Sequence, residues 1–187
     1  RFLELERPVL RELTIGGLLH DTGKITIPDA ILHKPAKLTD DEFTIMKSHV
    51  VQSIVLLKES KGITTIMMTV AGCHHERLDG RGYPRGLAGE QLNLYARMST
   101  IVDVYDALTA DRCYKVGMPP TAAFRILLQG AGTQFDEELV RKFIKCMGVH
   151  PIGTLVKLQS GRLAIVVERN DQSPLQPKVK VIYSTIG

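Results

Sequence analysis

Apolar residues recur at helical spacing through LELERPVLRELTIGGLLHD (residues 3–21), with Pro8 marking a start or break. Gly23 follows in HDTGK, where a left-handed glycine would cap the helix. A proline-containing loop, IPDAILHKPAKLT, leads to Thr39-Asp40-Asp41-Glu42, which has the form of a capping box. The pattern predicts one helix from there to about Ser60, broken by Lys61-Gly62. TTIMMTVAGCHHER predicts a further helix, ended by Asp79-Gly80. A loop rich in turn formers (Gly80, Gly82, Pro84, Gly86, Gly89) runs on to Gln91. Three more helices follow: a long one over LNLYARMSTIVDVYDALTA, one over TAAFRILLQG after Pro119-Pro120, and one over FDEELVRKFIKCMG, stopped by Gly148 and Pro151.

After Pro151 the period changes from helical to alternating. TLVKLQSGRLAIVVER is β-branched around Ser160-Gly161 and predicts a hairpin, and KVKVIY predicts another strand. The expected fold class is mainly α, a helical bundle over residues 1–150, with a small β-hairpin or three-strand appendage over residues 151–187. A chain of 187 residues with 44% hydrophobic residues can bury a core of its own. No apolar stretch approaches the roughly 18 residues needed to span a bilayer. Cys73, Cys113 and Cys146 are odd in number and include no CxxC, which argues against a disulfide framework and a thiolate zinc site and for a reducing cytoplasm. The net charge of +4 favours an anionic partner. Without an Arg/Lys run or any Trp, a nucleic-acid polymer is a poor candidate and a small anionic ligand a better one.

The candidate chemistry lies in imidazoles and carboxylates near helix ends or on facing helices. His20-Asp21 closes the first helix, His49 lies in the second long one, His74-His75 ends the next, and Asp103 lies in the long helix after the loop. Helical bundles build metal sites from such inward-facing side chains. Neighbouring residues on a helix diverge by about 100°, so His74 and His75 cannot easily chelate one ion but can serve two. A ligand set of imidazole and carboxylate without thiolate suits Fe, Mn, Zn or Ni. Two ions sharing a bridging carboxylate suit hydrolysis of a phosphate ester. His33 and His150 fall beside prolines in loops and are read as ordinary.

HDTGK, KPAKLTDDEF, MKSHV, HHERLDGRGYP and DVYDALTADRCYK follow one another in an order that resembles the HD-GYP branch of the HD phosphohydrolases. The resemblance implies an HD-type bundle and a bacterial, cytoplasmic phosphodiesterase of second-messenger signalling. Such an enzyme hydrolyses cyclic di-GMP to pGpG or GMP by attack of a metal-bridging hydroxide. It implies His20, Asp21, His49, His74, His75 and Asp103 as ligands of two or three divalent ions, with Asp21 bridging. Fe or Mn come first, and Zn, Ni or Mg are alternatives. Lys24 would act on the scissile phosphate beside Asp21, and Arg112 and Lys115 would hold substrate phosphate or guanine.

The loop Gly82-Tyr83-Pro84 would frame the substrate entrance and offer a surface to protein partners, with Gly80 and Gly82 supplying positive φ and Tyr83 packing the loop down. Glu76, Asp79 and Asp106 would accept hydrogen bonds from ligand imidazoles, and a homodimer is among the expected assemblies. The family's RPY is Arg112-Cys113-Tyr114 here. Members of the family carry a further histidine, and some a glutamate, about thirty residues ahead of the HD pair, so the helical domain is expected to be N-terminally incomplete. The alternative to an enzyme is a module that binds cyclic di-GMP or a protein without turnover.

Overall fold

The computed structural model describes residues 3–111, 116–170, 173 and 176–183. Helix α1, Arg7–Leu19, starts with Pro8 in its first turn, where the missing N–H is not needed. Its buried Gly16 lies against α5, Thr65–Cys73, where an added Cβ would come within 3.1 Å of Met67 Cα and Val70 Cβ. Between them the chain forms a 3₁₀ turn, Thr22–Thr26, and a short α2, Asp29–Leu32.

The capping box forms as expected. Glu42 N donates to Thr39 Oγ1, and Glu42 Oε2 accepts from Thr39 N at 2.8 Å. The helix it opens is not continuous to Ser60. It divides into α3, Asp40–Lys47, and α4, His49–Lys58. The break has a local cause, because Ser48 Oγ donates to Ile45 O at 2.6 Å and His49 Nδ1 lies 2.7 Å from Met46 O. Side chains thus take carbonyls that a continuing helix would use. His49 therefore opens α4 rather than lying inside a long helix.

Helix α5 stops at Cys73, earlier than the apolar pattern predicts, with His74 as its C-cap. Asn93 caps α6, Leu94–Thr109, through Ala96 N, and α7 and α8 span Pro120–Gln129 and Glu137–Met147. Ile101 of α6 packs with Phe124, Leu127, Phe135, Leu139 and Val140 in the main core. Cys73, Leu92 and Ala96 form a smaller cluster under the glycine-rich loop, with Leu78 and Leu87 against it. The strands are β1, Leu155–Lys157, β2, Leu163–Glu168, and β3, Lys178–Tyr183, antiparallel in the order β1-β2-β3. Ala164 and Val166 of the central strand β2 are fully buried, while Leu155, Ile182 and Tyr183 stay exposed. No described helix is long and apolar enough to cross a membrane.

Candidate metal centre

The turn after α1 is pressed onto α4 by two small residues. Gly23 N donates to Ser53 Oγ at 2.8 Å, and Ser53 Oγ donates to His20 O at 2.8 Å. A Cβ at Gly23 would fall on the His49 carbonyl oxygen and the Ser53 amide. Gly23 is thus not the left-handed cap that its position predicts. It is absent from the positive-φ glycines and serves the close approach of two backbones. Ser53, fully buried on the apolar face of α4 one turn after His49, was not singled out by sequence, although a hydroxyl among apolar neighbours is the available signal.

This packing, with α5 and α6, draws His20, Asp21, His49, His74, His75 and Asp103 together. Asp21 Oδ2 lies 3.2 Å from His20 Nε2, and Asp21 Oδ1 lies 3.3 Å from His49 Nε2 and 3.8 Å from His74 Nε2. Asp103 Oδ1 is 3.6 Å from His20 Nε2, and its Oδ2 is 3.4 Å from His75 Nδ1. Asp21 therefore faces three imidazoles and Asp103 two. Two sets, His49–His74–His75 and His20–Asp21–His74, each offer ligand atoms within 4.8 Å of one another. The rings of His74 and His75 are 4.1 Å apart and tilted by 50°. His74 turns towards Asp21 and His75 towards Asp103.

Three imidazoles are oriented by backbone carbonyls three residues earlier in the chain. Nδ1 of His20, His49 and His74 lies 2.6, 2.7 and 3.0 Å from the carbonyl oxygens of Gly17, Met46 and Ala71. A carbonyl only accepts, so each Nδ1 carries the proton and each Nε2 faces the centre. Backbone carbonyls thus fill the orienting role expected of Glu76, Asp79 and Asp106. Glu76, 0% exposed, accepts from Arg85 N at 2.8 Å and Leu87 N at 2.9 Å. Asp79 pairs with Arg77 and accepts from Arg81 N. Asp106 is exposed on the rim of a groove shared with His20 and Asp103, and among the described residues no hydrogen bond ties it to an imidazole.

The electrostatics suit a cation. Burial works against ionisation of Asp21, but the neighbouring His20, His49 and Lys24 hold its carboxyl far below the usual range. Asp103 is lowered likewise, against its burial, chiefly by His20. Burial also opposes the charge on His20, yet Asp103 and Asp21 raise it to about 10. Burial, reinforced by His75 and His20, pushes His74 down to about 3, and burial pushes His75 down to about 4. Two ionised carboxylates thus face the neutral imidazoles of His74 and His75, and the positive charge they draw onto His20 is charge that a bound cation would supply in its place; Lys24 Nζ lies 2.5 Å from Asp21 Oδ2. Among the described residues, Asp21 Oδ1 is buried without a hydrogen-bond partner. His49 Nε2 and His74 Nε2 approach to 3.4 Å beside it. An orphaned anionic oxygen facing converging ring nitrogens is a donor set that fits a metal ion.

The loop covers one side of this centre. Tyr83 lies on the ring of His75 at 4.7 Å, and Phe43 of α3 meets Tyr83 at 6.3 Å. Tyr83 packs as expected, and burial raises its hydroxyl pKa. The peptide between Tyr83 and Pro84 is cis. Gly80 has φ of 72°, as expected, but Gly82 does not have positive φ. At Gly82 an added Cβ would lie 2.5 Å from Glu76 Cα and 2.6 Å from His75 O, so the requirement there is proximity. Arg112 and Lys115 lie outside the described residues.

A family model described as "HD domain" matches residues 1–139. The chain belongs to the HD domain family. Its motifs belong to the HD-GYP branch within it. A cyclic di-GMP phosphodiesterase of Pseudomonas aeruginosa is 46% identical over 184 residues, which is 98% of this chain and 44% of that protein. A 3'3'-cGAMP-specific phosphodiesterase of Vibrio cholerae is 37% identical over 136 residues, 73% of this chain and 29% of that protein. Among solved structures, an HDG"Y"P protein from Bdellovibrio bacteriovorus shares the fold, with a TM-score of 0.56 and 21% identity over 70% of this chain and 41% of the other. The chain spans less than half the length of these relatives.

Proposed function

We propose that the chain is the catalytic part of a metal-dependent phosphodiesterase that hydrolyses cyclic di-GMP to pGpG or GMP. The observation that carries this reading is the buried Asp21 Oδ1, without a hydrogen-bond partner among the described residues, facing His49 Nε2 and His74 Nε2. His20, His49, His74, His75, Asp21 and Asp103 would hold two or three divalent ions, Fe or Mn first. Metal ions in such a cluster supply Lewis-acid polarisation of a phosphoryl oxygen and activation of water at neutral pH. Cyclic di-GMP is favoured over 3'3'-cGAMP because the Pseudomonas relative is the more similar and aligns over nearly the whole chain, β appendage included.

The chain's own residues do the rest. Asp21 holds the Lys24 ammonium beside the cluster, where it meets charge building on the phosphate. Tyr83 and Phe43 wall one side of the site and limit its access to water. Protein purified without oxygen is expected to carry two Fe or Mn per chain by elemental analysis and to form pGpG or GMP from cyclic di-GMP. Metal-loaded protein that leaves cyclic di-GMP intact while binding it would replace this reading with a binding module.

Lys24 separates charge stabilisation from metal retention. Lys24→Ala is expected to lower turnover about 10²-fold, the scale of one lost charge-stabilising donor. Metal content should stay at the wild-type value. Loss of metal in this variant would instead make Lys24 a residue that shapes Asp21.

A further inference from the structure

Glu76 directly follows the two histidines, yet its side chain points away from them into the fold. It is 0% exposed and meets no Lys or Arg side chain among its hydrogen bonds, which come from the amides of Arg85 and Leu87. A carboxylate so deeply buried is retained only where it is well satisfied. The two amides flank Gly86, which has φ of 66°, at the returning end of the loop.

The outgoing end is tied to the same turn. Tyr83 N donates to His75 O at 3.1 Å, and Gly82 lies so close to Glu76 Cα and His75 O that no side chain fits. Helix α6 holds the turn from below, with Thr100 Oγ1 3.4 Å from Cys73 O and 3.2 Å from Glu76 O. Thr100 is one helical turn ahead of Asp103, which faces His75 Nδ1. The loop is therefore folded back onto the turn that carries His75, and its one ring contact with that histidine is Tyr83 at 4.7 Å.

We infer that Glu76 is a positioning residue: by gripping the loop at Arg85 and Leu87 it seats Tyr83 on His75 and holds that imidazole towards Asp103. The inference rests on the metal-centre reading. His75 differs from the other three site imidazoles, whose Nδ1 atoms are held by backbone carbonyls. Its own Nδ1 faces Asp103, and the rings of His74 at 4.1 Å, Tyr83 at 4.7 Å and His49 at 5.2 Å lie around it, Tyr83 being the one that the loop carries. Glu76 thus does for His75, through the loop, what Gly17, Met46 and Ala71 carbonyls do directly for the others. Partners that orient a ligand typically change metal affinity 10–100-fold when lost.

The test is cobalt titration of the metal-free protein, read by visible d–d absorption, with far-UV circular dichroism as the control for folding. Glu76→Gln keeps the volume but sets an NH₂ group against one of the two amides. It is expected to weaken cobalt binding at least tenfold and shift the bands at wild-type helicity. Tyr83→Ala should do the same, Tyr83→Phe should leave the spectrum unchanged, and Glu76→Gln/Tyr83→Ala should be no weaker than the weaker single variant.

Wild-type bands and affinity in folded Glu76→Gln overturn the inference, as do effects of the two sites that multiply in the double variant. Should Glu76→Gln fail to fold, the Tyr83 pair still decides, because an unchanged spectrum in Tyr83→Ala overturns it. Wild-type protein that takes up no cobalt overturns the metal-centre reading itself.

Discussion

Asp21→Ala is expected to lose metal and with it essentially all hydrolysis of cyclic di-GMP, a fall of about 10³-fold or more, while helicity is kept. The two oxygens of Asp21 face four side chains: Oδ1 looks to His49 and His74, and Oδ2 to His20 and Lys24. Removing it leaves an apolar methyl where His20, His49 and His74 converge, and it releases Lys24. The fold does not depend on the carboxylate, because the turn is held by backbone groups through Gly23 N, His20 O and Ser53 Oγ. Elemental analysis and product formation on the same sample check this. Full metal content with full turnover would remove Asp21 from the centre.

Gly23→Ala is expected to destabilise the metal-free protein by about 3 kcal/mol, at the upper end for overpacking because the clash is with backbone rather than a movable side chain. For a chain of this size that corresponds to a melting temperature lower by roughly 6–12 °C. The same methyl would push the His20-Asp21 turn away from His49, so metal affinity should fall along with stability. Thermal unfolding with and without added Mn²⁺ separates the two effects. The variant should also gain less from the metal than wild type does, since ligand stabilisation scales with affinity. A melting temperature equal to wild type would mean that the turn can move off α4 at no cost.

Much of this molecule is readable along the chain. The capping box at Thr39 and Glu42, the proline start of α1, the stop at Gly148 and the hairpin around Ser160-Gly161 are local signals, and each forms where the pattern places it. The six imidazole and carboxylate residues could be collected in advance because they fall near helix ends or on faces of amphipathic segments. The misreadings share a different character. Apolar periodicity ran straight through Ser48, and only the competition of its hydroxyl and the His49 ring for the last carbonyls of α3 ends that helix. Gly23 and Gly82 looked like residues chosen for positive φ, but their requirement is the nearness of another backbone. Glu76 looked like a partner of its neighbouring histidines, yet its carboxylate turns to amides nine and eleven residues away.

The sequence by itself thus determined the helical bundle, the β appendage and the inventory of groups able to bind a metal, because caps, periods and turn residues act over a few positions. Tertiary structure decided which ring nitrogen each histidine presents, which oxygen of Asp21 stays without a partner, and which carboxylate holds a loop rather than an imidazole. Those outcomes depend on which backbone groups are brought within hydrogen-bonding distance, and packing of α4, α5 and α6 around the His20-Asp21 turn sets that distance.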